Sequence, residues 1–466
     1  MQRDLGQDIR RLWESASTNV FMTRIAHLVD SYSLREIVLE GTAYTALRCH
    51  EDSYFQAPHA LLGLQTAWGF CDFFPSENKL LPLTQMFWYA VGEAVKEEAD
   101  VKKNLGTPPS DNNLTLEKFE EAYRHKKFEE TFRTGVFLSQ HPEFRKKIFA
   151  FLFREVLPDE IHLGQKVVYL CRTFEFLESF KWKNYAPFLF SIFHYFIKAP
   201  SHIDTYPLVE IFYNQQWKNL LKAFSNEEKV LEEKIYLELK ESIYHAEKEE
   251  TLNKLLKLTQ SGIHFDVLLE AVRLSASELF YQSNFKTWTT SLQALPYVQA
   301  AFSFSKHLEP VDQMKSLLMA ALFVKNMAIL SKPFQEVVVR LLESVEEKNN
   351  SFYCAEFSIR KGDSSRALGA IHHLIAQNEI SAPVLEGLSY LSSKNLYSVL
   401  YANDLKFAYA SLKSYREANH SLKGIYLKSL VKLLAEEPKE ETIYNSLVNT
   451  QKIKRGYFSA PSEFNF

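Results

Sequence analysis

The chain has 466 residues, of which 46% are hydrophobic and 24% charged. That is ample for a large core, and it excludes intrinsically disordered, collagen-like and low-complexity classes for the body of the chain. Its 54 Lys and Arg against 57 Asp and Glu leave a net charge of −3, so there is no broad positive field for nucleic acid or an anionic membrane. With only 14 Gly and 16 Pro, glycine-built turns and phosphate-cradling loops are scarce and helices are favoured.

The N-terminus is charged throughout and has no apolar core of a secretory signal, which places the protein in the cytoplasm. Along the chain, apolar residues recur at spacings of three and four, so the expected fold is an all-α, multi-helix globular array. Leu80, Leu83, Phe87, Ala90 and Ala94 mark one such helix, with Pro82 in its first turn. Lys102–Asn113, with its Pro-Pro pair and Asp/Asn run, reads as a loop that closes an N-terminal helical unit over 1–101. A central helical pocket region follows over 114–345. Within it, Glu227–Lys257 reads as a helix pair or one long helix with a solvated outer face. Ser316–Leu330 is strongly apolar but interrupted by Lys325 and Asn326, and it is too short to span a bilayer. Softer boundaries fall at Ala199–Pro207, Glu346–Asn350 and Glu436–Glu440. Over 351–450 the chain reads as stacked helix pairs: Phe352–Lys361, Ser364–Gln377, Ala382–Ser393, Asn395–Tyr401, Leu405–Ala418 and Ser421–Glu436. The joint Arg360-Lys361-Gly362-Asp363 is of helix-turn-helix type. Residues 452–466 form a polar, basic tail ending in phenylalanines.

The four cysteines form no close pair, Glu-x-x-His occurs once (Glu417 to His420) where a di-iron carboxylate bundle needs it on two helices, and His-Glu-x-x-His does not occur. His372 and His373 project about 100° apart on a helix, so no protein-held metal is expected. Glycine-rich nucleotide loops and the Gly-x-Ser-x-Gly elbow are also missing. Among the histidines, His27, His125, His141, His245 and His420 stand beside charged or amide residues and read as surface groups. By contrast, His59, His162, His194, His202 and His264 lie in apolar or turn contexts.

Three segments place polar side chains in otherwise apolar helices, as a small-molecule pocket requires. In Tyr54–Cys71, a helix starting near Pro58 aligns His59, Leu62, Gln65 or Thr66, and Gly69. In Glu160–Glu178, His162, Gln165 or Lys166, Tyr169 and Thr173 share a helical face. The third is Phe285–Phe302, approached through Gly262-Ile263-His264. Aromatic clusters such as Phe188–Phe196 and Phe87–Tyr89 read first as core.

Over residues 30–330 these segments resemble the questin oxidase-like family through His59-Ala60-Leu61, Ile161-His162 with Tyr169, and Phe285 to Thr290 with Ala294-Leu295. The resemblance implies an all-helical pocket for a flat aromatic or polyketide-like substrate, and oxygen insertion with a nicotinamide reductant such as NADPH as co-substrate. It implies His59, His162, Tyr169 and His264 as catalytic groups, with Gln65, Gln165, Trp68, Trp288 and Thr290 against the substrate. Thr287 stands where the late family motif holds histidine. Either His264 or His307 substitutes, or the third segment is packing, or the reaction is lost. The competing expectation is a non-enzymatic helical scaffold that binds a protein through its C-terminal helices.

Overall fold

The computed structural model describes residues 4–48, 58–74, 79–93, 114–284, 287–332, 334–393 and 401–437, the side chains of Tyr401 and Ala402 excepted. The Lys102–Asn113 loop, Phe285, residues 395–400 and the 452–466 tail lie outside them. Among the described residues the architecture is all-α, and its one pairing of extended backbone is an isolated bridge between Glu228 and Ile263.

The N-terminal helices are α1 (Leu5–Trp13), α2 (Thr18–Ser31), α3 (Leu34–Arg48), α4 (His59–Phe70) and α5 (Leu80–Glu93). Next come α6 (Leu116–Arg124), α7 (Phe128–Ser139), α8 (Pro142–Val156), α9 (Gln165–Ser179), α10 (Ala186–Lys198) and α11 (Tyr206–Leu220). The charged stretch at 227–257 resolves into a pair, α12 (Glu233–His245) and α13 (Lys248–Gln260), because Ala246 and Glu247 leave helical geometry and Glu247 opens a capping box with Glu250. The centre continues with α14 (Phe265–Gln282), the short α15 (Trp288–Ser291), α16 (Ala294–Ser305) and α17 (Pro310–Leu330). The C-terminal helices are α18 (Val345–Asn349), α19 (Ser351–Lys361), α20 (Ser364–Ala376), α21 (Ala382–Ser392), α22 (Tyr401–Glu417) and α23 (Gly424–Glu436).

α19 and α20 form the expected hairpin. Gly362 takes a left-handed φ of 74° and the Asp363 side chain accepts from Arg366 N at 3.0 Å, a glycine stop followed by an N-cap. The soft boundary at Glu346–Asn350 is instead mostly helical: Ser344 and Glu347 make a reciprocal capping box that starts α18. Before it, residues 334–343 run without regular structure along the molecule, held where Gln335 N donates to Gln282 O and Arg340 N to Ser365 O. Gly369 on α20 lies under this strap, and a Cβ added there would stand 1.8 Å from Arg340 O. Gly369→Ala should therefore displace the strap at a cost of about 1–3 kcal/mol, measurable by urea unfolding. An unchanged midpoint would mean that the strap does not bear on α20.

One hydrophobic core runs from Ile9 to Ala435, so the C-terminal helices share the core of the central ones. α17 is the one described helix long and apolar enough to cross a membrane, and 72% of its most apolar window is buried in protein. At the centre, α4 packs on α9, α9 on α16, α16 on α22, and α22 back on α4. This closed ring of four helices brings together segments separated by hundreds of residues.

Two buried polar networks fasten the ring. Arg273 donates to Gln299 and Glu417 at 2.8 and 2.7 Å and to Glu270, which also accepts from Tyr426 at 2.8 Å. His420 belongs here rather than on the surface: its side chain is 5% exposed and its Nε2 lies 2.8 Å from Glu270. Across the α9–α22 interface, Glu175 is shared by Arg172 and by Lys413, the latter at 2.8 Å, and Arg172 lies over the Tyr409 ring. Pairing of this kind keeps buried charges tolerable.

Candidate active site

The polar centre of the helix ring is built from four distant stretches of sequence. His59 is the first residue of α4, Gln165 the first of α9, Gln293 the N-cap of α16, and Lys406 lies in the second turn of α22. Lys406 Nζ donates to Gln165 Oε1 at 2.8 Å, and Gln165 Nε2 donates to Gln293 Oε1. The Lys406 side chain is thus seated across the starts of α9 and α16. α4 joins them, because His59 feels the charges of both Lys406 and His162.

His162 does not continue α9 as its sequence spacing suggests. His162, Leu163 and Gly164 take left-handed φ values of 51°, 56° and 73°, so the backbone turns just before the helix. Successive non-glycine residues in this region are strained, and such strain persists only where the surroundings over-determine it. Asp159 supplies that constraint. Its buried carboxylate accepts from Ile161 N and His202 N at 3.0 Å each and from Lys166 Nζ at 2.6 Å, while Lys166 also donates to Pro200 O at 3.1 Å. Gly164 fits because no side chain would: a Cβ there would meet Tyr297 at 2.4 Å. The turn presents His162 Nδ1 to the Tyr195 hydroxyl at 2.9 Å, with the two rings stacked.

The electrostatics of the centre are unusual. Burial pushes the His59 imidazole down to about 3, helped by the charges of Lys406 and His162, so it stays neutral at physiological pH. Burial likewise brings Lys406 down to about 7, opposed only by Asp404 on its own helix. Lys406 therefore exchanges its proton near neutrality, whereas His59 stays an uncharged ring there. His59 and His162 are half-buried, whereas Lys406 and Gln165 are buried. The two histidines thus lie nearer the surface than the amine and its amide.

The structure distributes the other expected site residues as follows. Tyr169 is buried and donates to Ser191 Oγ at 2.9 Å, with its ring against Tyr195 beside His162. Gln65 and Thr173 bond to each other inside the α4–α9 contact, which makes Gln65 a fastener. Trp68 donates to Ser179 Oγ at 2.9 Å near the far end of α4. Trp288 packs near Phe280, whose ring lies against Phe407 next to Lys406, and Thr290 precedes Gln293. His264 is not gathered in. Its Nδ1 accepts from Asp266 N and caps α14, sixteen positions before Phe280 and hence roughly 24 Å away along the axis. His307 lies beyond the far end of α16, against Phe174 and Phe304. Thr287 donates to Ser331 O at 3.1 Å. Neither histidine is thus shown in contact with His59, His162 or Lys406, and the Thr287 hydroxyl is bonded to backbone.

The residue that sequence reasoning missed is Lys406. Nothing in its local sequence separates it from a surface lysine, and only its depth marks it. Two open cavities, of about 830 Å³ beside Phe128 and Arg133 and about 480 Å³ beside Tyr44 and Asn184, lie elsewhere. Among the described residues, no group of three or more His, Cys, Asp or Glu could hold a metal ion. No family model, curated protein or solved structure matches the chain.

Proposed function

We propose that His59, His162 and Lys406 form the proton-transfer centre of a metal-independent oxidoreductase that acts on a planar aromatic or polyketide-like small molecule, as in questin oxidase-like proteins. The reading is carried by one observation: two histidines more than a hundred residues apart lie within electrostatic reach of each other beside a buried lysine. The Lys406 amine, which protonates near pH 7, can take a phenolic proton and as the ammonium hold the resulting anion, with the neutral His59 ring as a hydrogen-bond partner. The ionised ring is then electron-rich enough to react with dioxygen, one oxygen atom being inserted into the substrate and the other leaving as water with a hydride from a reduced nicotinamide and a proton. Tyr195 orients His162, and Tyr169 backs Tyr195.

Titration of hydroxyanthraquinones by absorbance tests the assignment. His162→Ala should weaken binding roughly 10-fold or more, the loss expected for one charge-assisted hydrogen bond. Unchanged binding would remove His162 from the site. A second reading, a scaffold that binds a protein through its C-terminal helices, is favoured by exposed apolar residues on the strap, α18 and α19: Val338, Leu341, Val345, Tyr353 and Phe357. It requires that His162→Ala leave every measurable property but stability intact.

A further inference from the structure

Four lysines are buried among the described residues, and three have a clear source of compensation. Lys166 pairs with Asp159. Lys325 donates to Ala246 O beyond the end of α12, and Lys432 to Tyr281 O and Ser283 O, 2.7 and 2.6 Å, at the end of α14. Both therefore sit at helix C-termini, where the dipole is negative. Lys406 is the exception. Its partner is the neutral amide of Gln165, and it lies among the starts of α4, α9 and α16. None of these three helices carries a side-chain cap, so first-turn N–H groups and positive dipole ends add to the charge of the ammonium.

His59 supplies an independent sign of incompleteness. Its Nδ1 is buried and has no hydrogen-bond partner among the described residues, although a buried ring nitrogen is ordinarily satisfied. Lys413, seven residues along α22, shows what completion looks like: at the same α9–α22 interface it has the Glu175 carboxylate at 2.8 Å. Lys406 has the equivalent setting without the anion.

We propose that a monoanionic oxygen group of a small organic ligand, such as a carboxylate or an ionised enol, completes this site between Lys406 Nζ and His59 Nδ1, over the uncapped starts of α4, α9 and α16. The charge count selects the class. One ammonium balances one negative charge, and the cluster has no arginine fork to match a phosphate dianion. His59 serves as the donor through its Nδ1–H tautomer. This inference rests on the reading of the centre as a small-molecule site.

The anion would draw a proton onto Lys406. Around that lysine stand Asp404 on its own helix, His59 on α4 and His162 before α9. α16 carries only Tyr297, whose phenol burial pushes well up and keeps neutral, and along α9 Lys166 is paired with Asp159, and Arg172 and Glu175 with each other and with Lys413. Binding therefore takes up close to one proton at pH 8, where free Lys406 is largely neutral.

Calorimetry of the full chain with benzoate and its neutral analogue benzamide, at pH 8 in two buffers of different ionisation enthalpy, tests this. Benzoate should bind at least about 10-fold more tightly, with proton uptake, and Lys406→Met should abolish both differences. Lys406→Gln is the second variant should the first not fold. Equal affinity for the two ligands, or benzoate binding that is indifferent to Lys406, overturns the anion site and leaves the small-molecule reading standing. Binding of neither ligand counts against both.

Discussion

Asp159→Ala should destabilise the protein by about 3–5 kcal/mol, the cost of leaving a buried ammonium without its partner. The carboxylate does more than pair with Lys166. It accepts from the backbone of Ile161 and His202, and so holds the left-handed turn that carries His162. Two consequences follow from its removal. Lys166, whose pKa burial already lowers and Asp159 supports, would fall further. The folded state would then bind fewer protons than the unfolded chain, so the deficit grows as pH falls and shrinks as pH rises. The His162 turn would also relax, and ligand binding would weaken with it. Urea unfolding at pH 6 and pH 9 provides the check. A loss below about 1 kcal/mol at pH 6 would show that the Asp159–Lys166 pair is not what sustains the turn.

Lys406→Met should have the opposite sign on stability and a large effect on function. Burial lowers Lys406 from 10.5 to about 7. Below pH 7 both folded and unfolded states hold the proton, and the full cost of burying the ammonium is felt. Between pH 7 and 10.5 that cost is progressively relieved, so stability climbs with pH across this window by on the order of 4–5 kcal/mol at most. A methionine of similar length carries no charge, so the variant should lose this slope and be more stable than the parent at pH 6. Turnover of an aromatic substrate should fall roughly 10²–10⁴-fold, the usual contribution of a positioned acid or base. A variant that is less stable at pH 6 and fully active would show the lysine to be a structural strut. The pairing of gained stability with lost activity is what separates a site residue from a packing one.

How far the site was legible in the sequence depends on the kind of information each residue carries. Pro58 before His59-Ala60-Leu61 marks a helix start by local chemistry alone, and α4 begins there. Gly362-Asp363 marks a helix stop and cap in the same way. The Ile161-His162 stretch misled, because helical spacing was extended backwards through residues whose left-handed geometry is imposed by Asp159, His202 and the Tyr297 ring. His420 misled for a related reason: polar sequence neighbours gave no hint of Glu270, 150 positions away.

The all-α class, most helix positions and the candidacy of His59 and His162 were set by the sequence, since periodicity, caps and short motifs act over a few residues. Tertiary structure alone decided that Lys406 stands beside them, that Gln165 and Gln293 bridge the helix starts, and that His264 stays a distant cap. Burial and electrostatic coupling depend on which surfaces the closed ring of α4, α9, α16 and α22 brings together, and no local pattern records that closure.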